Sequence, residues 1–232
     1  MTKQKVSIPQ LKEWTEQGRK IRMVTAYDYP TALLVDKSEI EVILVGDSLG
    51  MVVLGYDGTV PVTMDEMVHH IKPVVRGARN TLIVGDMPFM SYNVSLEKAI
   101  ENAGRLMKEG GADCDKLEGG LAMVPVVKAL VDGGIPVMAH IGLTPQTASQ
   151  LGGFKVQGKD EAAAQRMLTE AMKLEEAGAF SIVLEAIPAP LAKLITQKVG
   201  IPNAYAEEVA SGSFPAAEHS FTMKDEVLKK LY

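Results

Sequence analysis

Apolar positions in this chain fall into two kinds of pattern. Short runs rich in Val and Ile stand at 21–26 (IRMVTA), 42–46 (VILVG), 82–86 (LIVGD), 114–120 (CDKLEGG), 135–142 (IPVMAHIG) and 181–188 (SIVLEAIP). Most are near-continuously apolar and short, which predicts buried strands. Longer amphipathic stretches separate them. In 95–109, Leu96, Ala99, Ile100, Ala103, Leu106 and Met107 recur at helical spacing, with Ser95 placed to cap the start and Gly110 to stop the helix. In 160–177, Ala164, Met167, Leu168, Ala171 and Leu174 do the same between Asp160 and Gly178, and a third helix over 121–132 runs into Gly133–Gly134.

Strands alternating with helices predict a parallel sheet covered by helices. Two architectures share that pattern, an open doubly wound sheet and a (β/α)8 barrel, and both put function at the C-terminal strand ends. Polar residues collect at those ends here: Asp47, Asp86, Glu118, His140 and Glu185. An open nucleotide-binding sheet carries a glycine-rich loop after its first strand, and VTAYDYP (24–30) is not one. The expectation is α/β, a TIM-type (β/α)8 barrel, as a single domain over 1–232.

Composition narrows the classes further. The 232 residues are 47% hydrophobic and 23% charged, with a net charge of −5 and acids interspersed among bases. No basic stripe marks a nucleic-acid partner. No apolar run approaches the about 18 residues that a membrane span needs, and MTKQKVSIPQLKEW lacks the apolar stretch of a signal peptide. Cys114 is the single cysteine, which excludes an internal disulfide. A cytoplasmic protein is expected.

The strand ends carry the candidate chemistry. A lone Gly-Asp after a strand is as readily a turn or cap residue as a site residue. Asp47 and Asp86 with Glu118, on three successive strands, instead suggest converging carboxylates that need a cation. Oxygen donors without a cysteine or histidine cluster point to Mg²⁺ or a similar hard ion. Lys116 and Glu118 are two apart and share a strand face. They are either an exposed ion pair or part of the barrel mouth, where Lys116 meets a substrate carboxylate or an oxyanion. Asp115 then faces the helix layer, where an unpartnered carboxylate is costly, so a partner, exposure or local loosening is expected there. Glu185, between an apolar run and IPAP, suits a general base or a structural salt bridge. His140 reads as a hydrogen-bonded structural histidine, His69–His70 as partly solvated helix surface, and GGFKVQG (152–158) as a lid.

Taken together, MVTAYDYP, VGDSLGMVVLGYDGTVPVTMDEMVHH, GDMPFMSY, KLEGG, IPVMAHIGLTPQ, GGFKVQG and VLEAIP resemble, in order over residues 3 to 202, the 3-methyl-2-oxobutanoate (ketopantoate) hydroxymethyltransferase family. EHSF (218–221) is similar to that family's C-terminal region. The resemblance implies a (β/α)8 barrel that transfers a one-carbon unit from 5,10-methylenetetrahydrofolate to 3-methyl-2-oxobutanoate, giving 2-dehydropantoate for pantothenate synthesis. It implies Mg²⁺ on Asp47 and Asp86, with Glu118 close to the metal. It places the keto acid at Asp47, Ser48, Asp86 and Lys116, and makes Glu185 the general base. It also implies a homo-oligomer, a decamer fitting the family.

Two departures stand out. After KVGIP (198–202) the family continues through strands seven and eight, whereas here NAYAEEVASGSFP follows directly and resembles a later helix. The strand 7–8 region is therefore missing, and six strands plus a stub would leave open sheet edges. A stretch absent from the sequence as written, an artificially shortened chain and a deletion variant all account for this. The retained ending favours the first. The second departure is Asp115, where the family places an apolar residue. Rival readings are a Mg²⁺-dependent lyase or mutase of the phosphoenolpyruvate mutase type and a non-catalytic truncated subunit.

Overall fold

The computed structural model describes residues 4–202, 204–205 and 225–229. Helix α1 (Ile8–Glu16) leads into β1 (Ile21–Thr25), α2 (Tyr29–Lys37), β2 (Val42–Val45), α3 (Leu49–Val52), α4 (Met64–Gly77) and β3 (Leu82–Asp86). There follow α5 (Leu96–Arg105), β4 (Cys114–Glu118), α6 (Val124–Asp132), β5 (Val137–Gly142), α7 (Glu161–Glu176), β6 (Ser181–Glu185), α8 (Ala189–Lys198) and a two-residue β7 (Ala204–Tyr205). All strand pairs are parallel, in the order β6-β5-β4-β3-β2-β1-β7. The six expected strands form, and so do the helices. Ser95 Oγ accepts the Lys98 amide at 3.2 Å, and the Asp160 carboxylate accepts the Ala163 amide at 2.9 Å, so both helices start where the caps predict. His69 is exposed and His70 half-buried on α4.

Alternation along the strands builds two cores. Outward residues such as Ile43, Ile83, Leu117, Ile141 and Leu184 pack against the helix layer through Ile71, Leu106, Leu130, Leu168 and Leu194. Inward residues Ile21, Val42, Leu82, Val84, Cys114 and Met138 fill the space inside the curled sheet, closed from below by Val6 and Leu11. The Val6 amide donates to the Asn80 carbonyl at 2.7 Å, which ties the segment before α1 to the N-terminal end of β3. The charged inward residues gather at the C-terminal strand ends, above these apolar layers.

Two expectations need correction. Ala204–Tyr205 form a strand on β1 rather than the start of a helix, pairing with Ile21 and Arg22. Just before it, the Pro202 carbonyl accepts the Ile182 amide at 3.4 Å. Pro202 and Ala204–Tyr205 therefore meet the two expected open edges, at the lower ends of β6 and β1 respectively. The rest of NAYAEEVASGSFP, and EHSF, lie outside the described residues. Asp115 is the second correction. It faces outward as expected, in register between Gly85 and Val137, but it is 0% exposed and neither carboxyl oxygen has a hydrogen-bond partner. The ladder does not loosen there, since the Asp115 amide donates to Pro136 at 3.0 Å. Burial, with Asp86 nearby, pushes this carboxyl well above the usual range, which favours its neutral form.

Candidate active site

Strand geometry brings the predicted residues together. Asp86, Lys116 and Met138 are in register across β3, β4 and β5, and Glu118 and His140 occupy the next inward position. Asp47 follows β2 across Gly46, where a side chain would come within 3.1 Å of Ser48 Oγ and 3.6 Å of Asp86 Oδ2. The small residue lets the Asp47 amide donate to Asp86 Oδ2 at 3.1 Å. Asp47, Asp86, Lys116 and Glu118 are each 5% exposed or less.

These charges hold one another. Lys116 Nζ lies 2.7 Å from Asp86 Oδ1 and 3.8 Å from Glu118 Oε1. Burial works against the ammonium, but Asp86, Glu118 and Asp47 outweigh it and hold Lys116 protonated. Burial raises Asp86, with Lys116 pulling the other way. Asp47 is pushed up to about 7 by burial and by the Asp86 charge. Glu118 ends below its ordinary value, because His140 and Lys116 outweigh its burial. Three carboxylates thus face one lysine, and the two on adjacent strands are left wanting a further positive charge.

Glu185 completes the arc from β6. Its Oε2 stands 3.1 Å from His140 Nε2, while His140 Nδ1 stands 3.5 Å from Glu118 Oε1. Neither ring nitrogen is aligned for a hydrogen bond. Burial opposes a charged imidazole, yet Glu118 and Glu185 outweigh it and raise the pKa of His140. The Glu185 side chain is 40% exposed, unlike its neighbours: β5 pairs with one edge of β6, and no described strand covers the other edge at its upper end. The next residue, Ala186, has φ +45°, and its carbonyl accepts the Gln157 amide of the GGFKVQG loop at 2.9 Å.

Three positions gain a role that the motifs did not show. Gln146, in the 3-10 turn after β5, donates from Nε2 to Asp47 Oδ2 and to the Met87 carbonyl, both at 2.9 Å, and its amide donates to Glu118 Oε2 at 3.1 Å. The Tyr92 hydroxyl donates to Gln146 Oε1 at 2.6 Å and sits 3.2 Å from the Glu118 amide. Tyr27 OH and Ser48 Oγ are 2.8 Å apart at the edge of the cluster. A buried glutamine between two acids is visible only once the loop after β5 is folded over the mouth.

Among the described residues no three His, Cys, Asp or Glu side chains converge into a closed metal cage. Mg²⁺ does not require one. It binds through one or two carboxylates and fills its octahedron with water and substrate oxygens. The adjacent, buried Asp47 and Asp86 carboxyls, both with raised pKa, fit that donor set.

The family model for ketopantoate hydroxymethyltransferase matches residues 5–205. A 3-methyl-2-oxobutanoate hydroxymethyltransferase of Heliobacterium modesticaldum is 57% identical over 274 positions, covering 98% of this chain and 99% of its own length. Both ends are thus aligned, and with 232 residues here at least 42 positions inside that relative have no counterpart in this chain. A protein of the same name from Moorella thermoacetica is 58% identical over 199 residues, covering 86% of this chain and 74% of its own. Among solved structures, 2,3-dimethylmalate lyase, a PEP mutase/isocitrate lyase superfamily member, superposes with a TM-score of 0.63 at 15% identity, covering 93% of this chain and 79% of its own. Phosphonopyruvate hydrolase in complex with oxalate and Mg²⁺ superposes at 0.62 and 12% identity, covering 92% and 84%. These structures share the fold.

Proposed function

The chain belongs to the ketopantoate hydroxymethyltransferase family, and from that premise we propose that it transfers a hydroxymethyl unit from 5,10-methylenetetrahydrofolate to 3-methyl-2-oxobutanoate. Water is taken up, tetrahydrofolate is released and 2-dehydropantoate is formed, a step toward pantothenate. The observation that carries this reading is the buried cluster of Asp47, Asp86, Lys116 and Glu118, with Glu185 reaching it through His140.

Asp47 and Asp86 would hold Mg²⁺, with Glu118 close by through water. Bound there, the ion would polarise the keto group and acidify the neighbouring C3–H. Lys116 places a fixed positive charge where the substrate carboxylate and the enolate oxygen need one, in a site too dry to screen it. Ser48 orients the substrate from the Tyr27 side. Glu185 takes the C3 proton, and His140 holds the Glu185 carboxylate from behind. The resulting carbanion at C3 attacks the donor's one-carbon unit. The protein acts in the cytoplasm on small molecules, as a homo-oligomer with a decamer as the expected size.

A lyase or mutase of the phosphoenolpyruvate mutase type shares this fold. Such an enzyme uses a reactive cysteine loop, and Cys114 is buried inside the lower core beneath Lys116. The deciding measurement is exchange of the C3 proton of 3-methyl-2-oxobutanoate in D₂O, followed by NMR with Mg²⁺ and with EDTA. Mg²⁺-dependent exchange that Glu185→Gln abolishes is the expected result. A folded protein that binds the keto acid and Mg²⁺ without exchange would instead be the non-catalytic subunit.

A further inference from the structure

A cavity of about 550 Å³ opens beside the charged cluster, between the turn after β4, the end of β5 and helix α7. Glu118 and Gly142 lie in its wall, and Gly142 is in register with Glu185. The cavity therefore adjoins the charged cluster at Glu118 and runs alongside the strand end that carries the proposed base. Its size is that of small-molecule sites in general. The charged cluster does not include the rest of its lining.

That lining has a definite chemical character. Leu121, Met123 and Leu151 give it apolar walls, and Leu121 remains 45% exposed although it is large and apolar. Glu170 reaches in from α7. Its carboxyl sits so close over the turn that a Cβ on Gly120 would come within 2.2 Å of Cδ. Arg166, one helical turn earlier, lies 3.8 Å from Glu170 Oε1 with its side chain 72% exposed at the mouth. A ligand matching these walls has flat apolar faces, N–H donors along one edge and a negatively charged tail.

We propose that this cavity takes the folate donor, with Glu170 paired to the N3–H and 2-amino edge of the reduced pterin and Arg166 meeting the glutamate tail. The inference rests on the function proposed above and deepens it. A carboxylate accepts two parallel N–H bonds from such an edge, as it does from arginine. The apolar walls cover the ring, and the shared Glu118 and Gly142 wall sets the one-carbon unit beside the reacting keto acid.

Steady-state kinetics of Glu170→Gln with Mg²⁺, keto acid and 5,10-methylenetetrahydrofolate test this. The amide keeps the shape but turns a donor toward the ring, so the folate KM should rise about tenfold or more while the keto-acid KM stays within about twofold. Arg166→Ala should raise the KM of a polyglutamylated folate more than that of the pteroate lacking glutamate. A Glu170→Gln protein with the parent's circular dichroism and an unmoved folate KM would overturn the assignment while leaving the proposed function intact. If the parent protein itself shows no turnover, the proposed function falls instead, and calorimetric titration with tetrahydrofolate judges the cavity alone. Binding weakened about tenfold by Glu170→Gln supports the site, and equal or absent binding overturns it.

Discussion

Strand β4 buries charge on both of its faces, and the two faces solve the problem in opposite ways. Inward, Lys116 and Glu118 are surrounded by Asp86, Asp47, His140 and the Gln146 amide, so each charge lost from water is met by a counter-charge or a donor. Outward, Asp115 stands between Gly85 and Val137 with no hydrogen-bond partner on either oxygen. Burial depth is the same. The difference lies in company: a charged group inside a protein is affordable when paired and is forced neutral when alone. The inner face is therefore organised for chemistry, and the outer one carries a standing cost.

The largest effect is expected from removing the lysine of the inner face. Lys116→Met leaves Asp47, Asp86 and Glu118 buried without their ammonium, and should lower stability by about 3–5 kcal/mol in urea unfolding at pH 8. Saturating Mg²⁺ should restore more stability to this variant than to the parent, because two unneutralised carboxylates then await the ion. A loss under about 1 kcal/mol would mean that pairing does not hold the cluster together.

The outer face makes the converse prediction. Asp115→Val should stabilise the protein by about 1–3 kcal/mol at pH 8. The pH dependence has a definite sign. The folded-state pKa of Asp115 lies above its unfolded value, so the unfolded chain gives up its proton first as pH rises. The penalty is absent below about pH 4 and grows from there toward the folded pKa. The gain from Val should accordingly shrink toward acid pH in paired urea curves. A gain that does not depend on pH would show that packing rather than ionisation is the issue.

The next effect is smaller and concerns the polar residues that hold the acids in place. Tyr92→Phe deletes a hydroxyl that donates to Gln146 Oε1 at 2.6 Å and lies against the Glu118 backbone. About 1–2 kcal/mol should be lost, together with tighter restraint on Gln146 and hence on Asp47. Unfolding curves and the keto-acid KM read the two consequences separately.

What the sequence made legible divides along the same lines. Period-two alternation placed Lys116 and Glu118 inward and Asp115 outward, and the Gly-Asp endings put Asp47 and Asp86 at one end of adjacent strands, because these follow from local geometry. Ser95 and Asp160 marked helix starts for the same reason. Gln146 and Tyr92 were opaque, since their partners are 99 and 54 residues away in the chain. The environment of Asp115 differs from the expected partner, exposure or loosening because burial can also be met by a shift toward the neutral carboxyl. The pattern leaves the lower edges of β1 and β6 open, whereas Ala204–Tyr205 pair with β1 and the Pro202 carbonyl meets β6, backbone contacts that no periodicity in so few residues could announce.

Glu185 gives the smallest stability effect and the most useful contrast with Lys116. It ends β6, the strand whose upper half has no described neighbour on one side, and its side chain is 40% exposed while those of Lys116 and Glu118 are 5% and 2%. Among the described residues it is paired with His140, which Glu118 also faces. Glu185→Gln therefore removes a half-solvated charge that water can replace, and should change stability by less than about 1 kcal/mol. The same variant should lose C3 proton exchange altogether, because an amide cannot accept the proton. Stability preserved with exchange abolished would separate the group that moves a proton from the buried charges that hold the site. A large loss of stability would instead make Glu185 part of the inner scaffold, and its exposure at the edge of the sheet would then have to be filled by a neighbouring subunit.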